Sequence, residues 1–346
     1  MQNTLVYFEK WMDSVAEKIV NGTPDIDLQR LTFDRPDEEN WARLAQATGY
    51  QAMPGTETPK KWYPGRTFLE RCPNLLAVSS TGAGYDIVDV DACTELGIMV
   101  VNNTGANAVS VAQHVMGLSL ALSKKIAQAD KAHRREEVVD RFELIGSELT
   151  GKVIGIVGLG NIGRLVAGYA RVFGARPIAC DPYLTNADFA ERGAEKVDFD
   201  TLFRAADIVS INCPKNEETI GMIDGRAFSM MKPSAYFITT ARGGIHDEDA
   251  LVSALAENRI QGAGIDVFTQ EPTGRDHPLA QFDNVLLSPH NAGVTHECNY
   301  AMAKAAAEQW LTIFRGERPP RLINPQVWDR YRERYARIMR RGVAAE

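Results

Sequence analysis

Three polar side chains stand just beyond apolar runs that read as strands, in the order arginine, carboxylic acid, histidine. Tyr236-Phe237-Ile238-Thr239-Thr240-Ala241 runs into Arg242-Gly243-Gly244, and Gly262 to Val267 leads to Phe268-Thr269-Gln270-Glu271-Pro272. Val285-Leu286-Leu287 leads to Ser288-Pro289-His290. These residue types can together reduce a ketone. Charge builds on the carbonyl oxygen as its carbon is reduced, so an acid must deliver a proton. Histidine is the side chain whose unperturbed pKa lies near operating pH. A carboxylate on its other ring nitrogen fixes the tautomer and favours the imidazolium. An arginine fork can hold a substrate carboxylate while polarising the neighbouring carbonyl. In an open parallel sheet the C-terminal strand ends face the ligand crevice, so the three are expected to meet there.

A second pattern supplies the other half of such a reaction. Val153-Ile154-Gly155-Ile156-Val157 reads as a strand, Gly158-Leu159-Gly160-Asn161-Ile162-Gly163 follows, and a helix from Asn161 to Phe173 comes next. Strand, G-x-G-x-x-G and helix in direct succession form a dinucleotide-binding fingerprint. Gly158 would permit the tight turn, Gly160 the approach of a pyrophosphate, and Gly163 close packing of helix on strand. The helix N-terminus would then hold the phosphates. The next strand, Arg176 to Cys180, ends at Asp181, where a carboxylate accepts from the ribose hydroxyls and repels a 2′-phosphate. No basic residue follows until Arg192, so NAD(H) is expected in preference to NADP(H).

The elements that must carry these residues alternate. Leu5 to Phe8, Ile26 to Phe33, Leu75 to Ser80 and Ile98 to Val101 read as strands, and Met12 to Val20 reads as a helix. Asp34-Arg35-Pro36 reads as a cap with proline in the first turn, opening a helix to about Thr48. A long helical pattern spans about Asn107 to Lys131, and His133 to Glu148 reads as a charged surface excursion. Strands and helices alternate again from Thr150-Gly151 to about Ser288, and Ala301 to Phe314 forms another long helix. Alternation of this kind predicts the α/β class. The chain's 346 residues suggest two domains: a dinucleotide-binding unit at 104–291, and a substrate-binding unit at 1–103 completed by 292–346.

Composition narrows the function. With 45% hydrophobic residues, 24% charged residues and a formal net charge of −7, the chain has material for packed cores and no bias toward nucleic acid. Apolar runs are too short for a membrane span. Charged residues interrupt the apolar pattern of residues 1–20, so a cytoplasmic protein is expected. Cys72, Cys93, Cys180, Cys213 and Cys298 are odd in number and form no C-x-x-C pair, which argues against disulfides or zinc. No histidine pair has metal-ligand spacing with an acid partner, so no metal is predicted. His114 reads as structural, and His246 and His277 flank the reactive segments.

Over roughly residues 70–315 the chain resembles the D-isomer-specific 2-hydroxyacid dehydrogenases. Ser79 to Asp91 resembles that family's carboxylate-binding loop, Gly158 to Gly163 with Asp181 its cofactor motif, and Thr240-Ala241-Arg242-Gly243 its arginine motif. Asp266 to Pro272 resembles its acid motif and Ser288-Pro289-His290 its histidine motif. The resemblance implies that Arg242 binds and polarises a 2-oxoacid and that Glu271 orients and tunes His290. His290 would be the proton donor in reduction and the base in oxidation. Ala83 and Gly84 would present N–H groups to the substrate carboxylate, beside Tyr85. Asn161 and Ile162 at the glycine turn would line the cofactor, with Asp181, then Cys213, Pro214 and Thr219, then Thr240, Ala241, Asp266 and His290. The family fold adds a Rossmann cofactor domain, a flavodoxin-like substrate domain and a homodimer, with no nucleic-acid or membrane partner.

Several positions depart from the family pattern. Thr239 stands where Asn is usual, Lys215-Asn216 where Leu-Thr is usual, Gln113 where Glu is usual, and His246 where an apolar residue is usual. Tyr85 replaces a smaller residue and, with Pro54-Gly55-Thr56, is a candidate to shape the pocket. At the C-terminus Trp328, Tyr331, Tyr335 and Ile338 recur at helical spacing, with Arg330, Arg332, Arg334, Arg337, Arg340 and Arg341 on the other faces. We read this helix as docked on its own protein rather than on nucleic acid. Two other functions remain open at this point: an NAD-sensing regulator on the same fold, corepressor-like, and a formate- or phosphite-type dehydrogenase. Glu271 speaks against formate, whose dehydrogenases carry Gln there.

Overall fold

The computed structural model describes residues 3–53, 57–135 and 138–341. Pro54, Gly55 and Thr56 lie outside the described residues, as do the side chains of Arg340 and Arg341. The chain divides into two units, 1–107 with 295–346 and 108–294. Each has its own parallel sheet.

In the first unit β1 (Asn3–Phe8), β2 (Ile26–Leu31), β3 (Gly49–Ala52), β4 (Ala77–Ser80) and β5 (Met99–Val101) pair in the order β2-β1-β3-β4-β5. This is the flavodoxin-like order. The helix His296–Phe314 returns to cover it. Trp310 is fully buried, its Nε1 donates to Gln51 Oε1 at 2.8 Å, and Gln309 Nε2 donates to Asn102 O at 2.9 Å. β3 escapes the sequence reading because Gly49-Tyr50-Gln51-Ala52 offers little apolar pattern. Gln51 is nonetheless buried, and its amide is satisfied by Ser79 O and Thr81 Oγ1.

Two helices differ from expectation. The one expected from Asp34 runs Asp37–Leu44, and Pro36 occupies its cap position at φ −49°, ψ 135°, with no side-chain cap from Asp34. The long helix expected over 107–131 is two helices, Ala108–Ser123 and Ile126–Arg135. The chain breaks at Lys125, whose φ is +53°, and Ser147 N–H takes up the freed Ser123 carbonyl. Apolar periodicity survives such a break, so the pattern alone does not reveal it.

The C-terminal helix Trp328–Arg341 docks on the first unit through buried Tyr331 and Ile338. Arg334, assigned from the sequence to a polar face, is instead 8% exposed. Its guanidinium donates to Pro73 O, Leu75 O and Leu96 O at 2.6–3.1 Å, and burial pulls its pKa down to about 10. Three carbonyl acceptors offset the cost of burying that charge.

The second unit is doubly wound. β6 (Val153–Val157), β7 (Arg176–Cys180), β8 (Glu195–Lys196), β9 (Ile208–Ile211), β10 (Tyr236–Thr239), β11 (Gly262–Ile265) and β12 (Val285–Leu287) lie in the order β12-β11-β10-β9-β6-β7-β8. All pairings are parallel, and chain order reverses between β6 and β9, the switch point of a Rossmann sheet. Four of its helices start on side-chain caps: Asp198 on Thr201 N, Asp224 on Ala227 N, Asp247 on Ala250 N, and a Thr185–Asp188 capping box. These caps fix where each helix starts; Asp198 closely follows β8, whereas Asp224 and Asp247 close longer loops after β9 and β10. Among the described residues no helix is long and apolar enough to cross a membrane.

Candidate active site

The glycine turn lies at the C-terminal end of β6. Gly158 has φ +87°, and a Cβ there would stand 2.8 Å from Cys213 N, so both conformation and space demand glycine. Gly163 lets the helix Asn161–Val172 pack on the turn, since a Cβ would strike the Gly158 carbonyl. Gly160 is different: a Cβ would meet nothing within 4 Å. Its open side faces away from protein, which is the room a pyrophosphate needs at a helix N-terminus. Asn161 and Ile162 begin that helix.

Asp181 ends β7 and braces the same turn. Its Oδ2 accepts from Leu159 N–H at 3.0 Å and its Oδ1 from Tyr183 N–H at 3.1 Å. Each oxygen keeps a second lone-pair direction for a ribose hydroxyl. Arg192, distant in the sequence, reaches the turn as well and donates to Leu159 O at 2.8 Å. After β9, Thr219 Oγ1 donates to Pro214 O at 2.7 Å, so this hydroxyl braces its own loop. Burial pushes the Cys213 thiol pKa up to about 11, and Cys72, Cys93 and Cys298 are likewise raised by burial. Thr240 and Ala241 follow β10, nearly buried, and the Thr240 hydroxyl has no partner among the described residues. The Thr239 hydroxyl, at the family's Asn position, is fully buried and also unpartnered. An open glycine, a carboxylate at the β7 end and an orphaned hydroxyl near the switch point fit a dinucleotide.

Arg242, Glu271 and His290 follow β10, β11 and β12, which are neighbours in the sheet. His290 Nδ1 and Glu271 Oε2 are 2.8 Å apart. Burial alone would raise the Glu271 pKa. The His290 hydrogen bond, the Phe268 N–H on Oε1 at 2.9 Å and the charges of His290 and Arg242 outweigh it, holding the carboxyl below its ordinary range. Glu271 is therefore ionised at neutral pH, which commits His290 Nδ1 to carrying a proton. That leaves Nε2 as the ring nitrogen able to exchange one. Arg242 Nη1 donates to Ala241 O at 2.7 Å, and the following Gly243 packs so tightly on Phe268 that a Cβ would overlap its carbonyl.

His290 has φ +53°, a left-handed conformation uncommon outside glycine. Surrounding bonds hold it there. Its N–H donates to Asp266 O at 2.8 Å, and the Asp266 carboxylate accepts from Ser288 Oγ at 2.6 Å, Asn291 N at 2.9 Å and Ala292 N at 3.0 Å. Asp266, expected beside the cofactor, is fully buried and spends its carboxylate on the histidine loop. His114 supports this loop, with Nε2 3.1 Å from Ser288 Oγ. The sequence reading quoted Ser288 and Gly243 within motifs but gave neither a role. The serine of Ser-Pro-His and the paired glycines after Arg242 were the available signals.

On the first unit, the loop after β4 is held by its carbonyls: Asn102 Nδ2 donates to Ala83 O and Ser80 Oγ to Gly84 O. Because a trans peptide points N–H opposite to C=O, the Gly84 and Tyr85 N–H groups face away from those donors. Tyr85 is 40% exposed. Among the described residues no group of three or more His, Cys, Asp or Glu is placed to hold a metal ion.

Comparisons with known proteins bear on this arrangement. The sequence model described as "D-isomer specific 2-hydroxyacid dehydrogenase, NAD binding domain" matches residues 116–292. A D-3-phosphoglycerate dehydrogenase of Mycobacterium leprae is 41% identical over 256 residues, covering 74% of this chain and 48% of that protein. A glyoxylate reductase of Thermofilum pendens is 39% identical over 263 residues, covering 75% and 78%. The chain thus spans about half the length of several curated relatives it matches. An acyclic imino acid reductase solved in complex with NADPH and D-Arg superposes with TM-score 0.80 at 28% identity, covering 92% of this chain and 99% of that one. With its two parallel sheets, its glycine turn and a family match across half its length, this chain belongs to the D-isomer specific 2-hydroxyacid dehydrogenase family.

Proposed function

We propose that the protein is an NAD(H)-dependent oxidoreductase that interconverts a D-2-hydroxyacid and its 2-oxoacid. The observation that carries this reading is the 2.8 Å pair of His290 and Glu271 on strand ends next to that of Arg242, in the same sheet as the glycine turn. The nicotinamide, when bound, supplies or accepts the hydride. Arg242 holds the substrate carboxylate and draws electron density toward the carbonyl oxygen. His290 Nε2 gives that oxygen its proton in reduction and removes it in oxidation. Glu271, ionised, fixes the tautomer and balances the imidazolium charge. Gly160 leaves room for the pyrophosphate, and Asp181 takes the adenosine ribose. The exposed apolar residues Val109, Ile126, Val138, Phe142 and Ile145 belong to one stretch of the second unit, and we assign them to a homodimer interface.

An NADH-oxidation screen over 2-oxoacids of graded size and charge tests the reaction. Turnover is expected with at least one; NADH binding without turnover across the panel would favour a cofactor-sensing protein instead. In the active pair, His290→Ala is expected to lower kcat at least about a hundredfold. A near-normal kcat would remove His290 from proton transfer. Asp181→Ala is expected to raise KM for NADH and narrow the gap to NADPH, with Arg192 close by to meet a 2′-phosphate. An unchanged cofactor ratio would mean that another group reads the ribose.

A further inference from the structure

We infer that Glu248 is a positioning residue for the Glu271–His290 pair, gripping from the first turn of its helix the segment that carries Glu271. The inference rests on the proton-transfer role proposed for His290. In the sequence, Asp247-Glu248-Asp249 reads only as a helix cap followed by acids that suit the positive end of a helix dipole. Asp247 does cap the helix Glu248–Ala256. Glu248 turns elsewhere: its Oε1 accepts from Thr269 N–H at 2.6 Å, and its Oε2 lies 3.4 Å from His277 Nε2.

Both side chains of this pair are mostly withdrawn from solvent, at 20% and 16% exposed, so they are held more firmly than a surface ion pair. His277 is fixed from its other side, where Nδ1 accepts from Leu279 N–H at 3.3 Å. With Nδ1 accepting, the neutral ring carries its proton on Nε2, the nitrogen nearer Glu248. The His277 ring also meets Phe268 edge-on, with centroids 5.0 Å apart. Phe268 N–H donates to Glu271 Oε1, and Glu271 Oε2 meets His290. Glu248 and His277 thus grip the start of the Phe268–Glu271 segment, and the far end of that segment orients the imidazole.

The same residue links the segment to Arg242. Only the turn from Gly243 to Asp247 separates Arg242 from Glu248, and Gly243 lies against the Phe268 carbonyl. One short stretch therefore carries the substrate-binding cation at one end and the grip on the Glu271 segment at the other. A charge-assisted bond to a backbone N–H is strong and directional. Its loss lets the carboxylate drift relative to the imidazole, and displacements of about 1 Å in a catalytic group are costly in rate. Among the described residues, His246, Asp247, Asp249, His277 and Lys215, whose Nζ lies against Gly244, are the other titratable groups around this turn.

The test uses the full chain with Glu248→Ala and Glu248→Gln, the amide oxygen of Gln still being able to accept from Thr269. Glu248→Ala is expected to lower kcat at least about tenfold. Its KM for the 2-oxoacid and Kd for NADH should stay within about twofold of wild type, while the pH profile of kcat shifts. Glu248→Gln should restore most of the rate. A readout free of turnover is the downfield imidazole N–H resonance of His290, identified by its disappearance in His290→Gln. It should move or broaden in Glu248→Ala and persist in Glu248→Gln. A wild-type protein that reduces no 2-oxoacid yet shows this spectral pattern would sink the dehydrogenase reading and leave the positioning inference standing. Wild-type kcat, pH profile and resonance in folded Glu248→Ala would overturn it, even if Tm falls. Should that variant fail to fold, Glu248→Asp, one methylene shorter, is expected to shift the same resonance. An unshifted resonance there would be equally fatal.

Discussion

Asp266 and His246 are both withdrawn from solvent beside the reactive loops, and the fold treats them in opposite ways. Asp266 ends the β11 segment and satisfies three donors of the loop that carries His290. His246 precedes the Asp247 cap, lies against Phe237 with centroids 5.6 Å apart, and neither ring nitrogen has a partner among the described residues. Burial drives its pKa down to about 4, against the pull of Glu248 and Asp247. The first residue is a buried charge made useful by its partners. The second is a polar ring kept where the sequence family usually has an apolar residue, and its cost grows when it must take a proton. What a buried polar group contributes depends on the partners it satisfies as well as on its charge.

The largest expected effect breaks the satisfied side of this contrast. Asp266→Ala leaves a hydroxyl and two backbone N–H groups without their acceptor and should cost about 3–5 kcal/mol. It should also release His290 from its left-handed conformation, so kcat should fall further than stability alone explains. Urea unfolding and kcat measured on the folded fraction separate the two; wild-type values for both would show that the loop holds itself.

The unsatisfied side should show itself through pH. A native pKa of about 4 against 6.5 means the unfolded chain binds the proton more readily. His246 therefore adds no pH-dependent cost above pH 6.5 and destabilises progressively as pH falls toward about 4, by about 3 kcal/mol in full. His246→Leu should flatten that limb of the stability–pH curve, read as the urea midpoint at each pH. An unchanged limb would place the proton uptake on other groups.

The smallest change sharpens the comparison. Ser288→Ala removes one of the three bonds to Asp266 and the one to His114, and should cost about 1 kcal/mol with kcat reduced only modestly. A loss as large as that of Asp266→Ala would make the hydroxyl, not the backbone donors, the real anchor.

The chemistry of this site was legible because it sits in short local patterns. Gly158-x-Gly160-x-x-Gly163 after an apolar strand states its own geometry, and Arg242, Glu271 and His290 each follow an apolar run that reads as a strand. The misses share one cause, which is that partners distant in the chain decided them. Arg334 is buried because carbonyls of residues 73, 75 and 96 await it. β3 exists because β1 and β4 flank it, not because its four residues favour extension. The helix breaks at Lys125 where Ser147 takes the Ser123 carbonyl.

The sequence by itself determined the fold class, the glycine turn, the acid at the end of β7 and the three residue types on the β10, β11 and β12 ends. Strand periodicity and glycine conformation act over a few residues, and so they are written in a few residues. Only the tertiary structure decided that Glu271 and His290 stand at hydrogen-bond distance, and that Asp266 serves the histidine loop. It alone turned Glu248 from a helix-terminal acid into the partner of Thr269. Those outcomes depend on which backbone donors packing brings to each carboxylate, and donors placed by packing leave no local pattern to read.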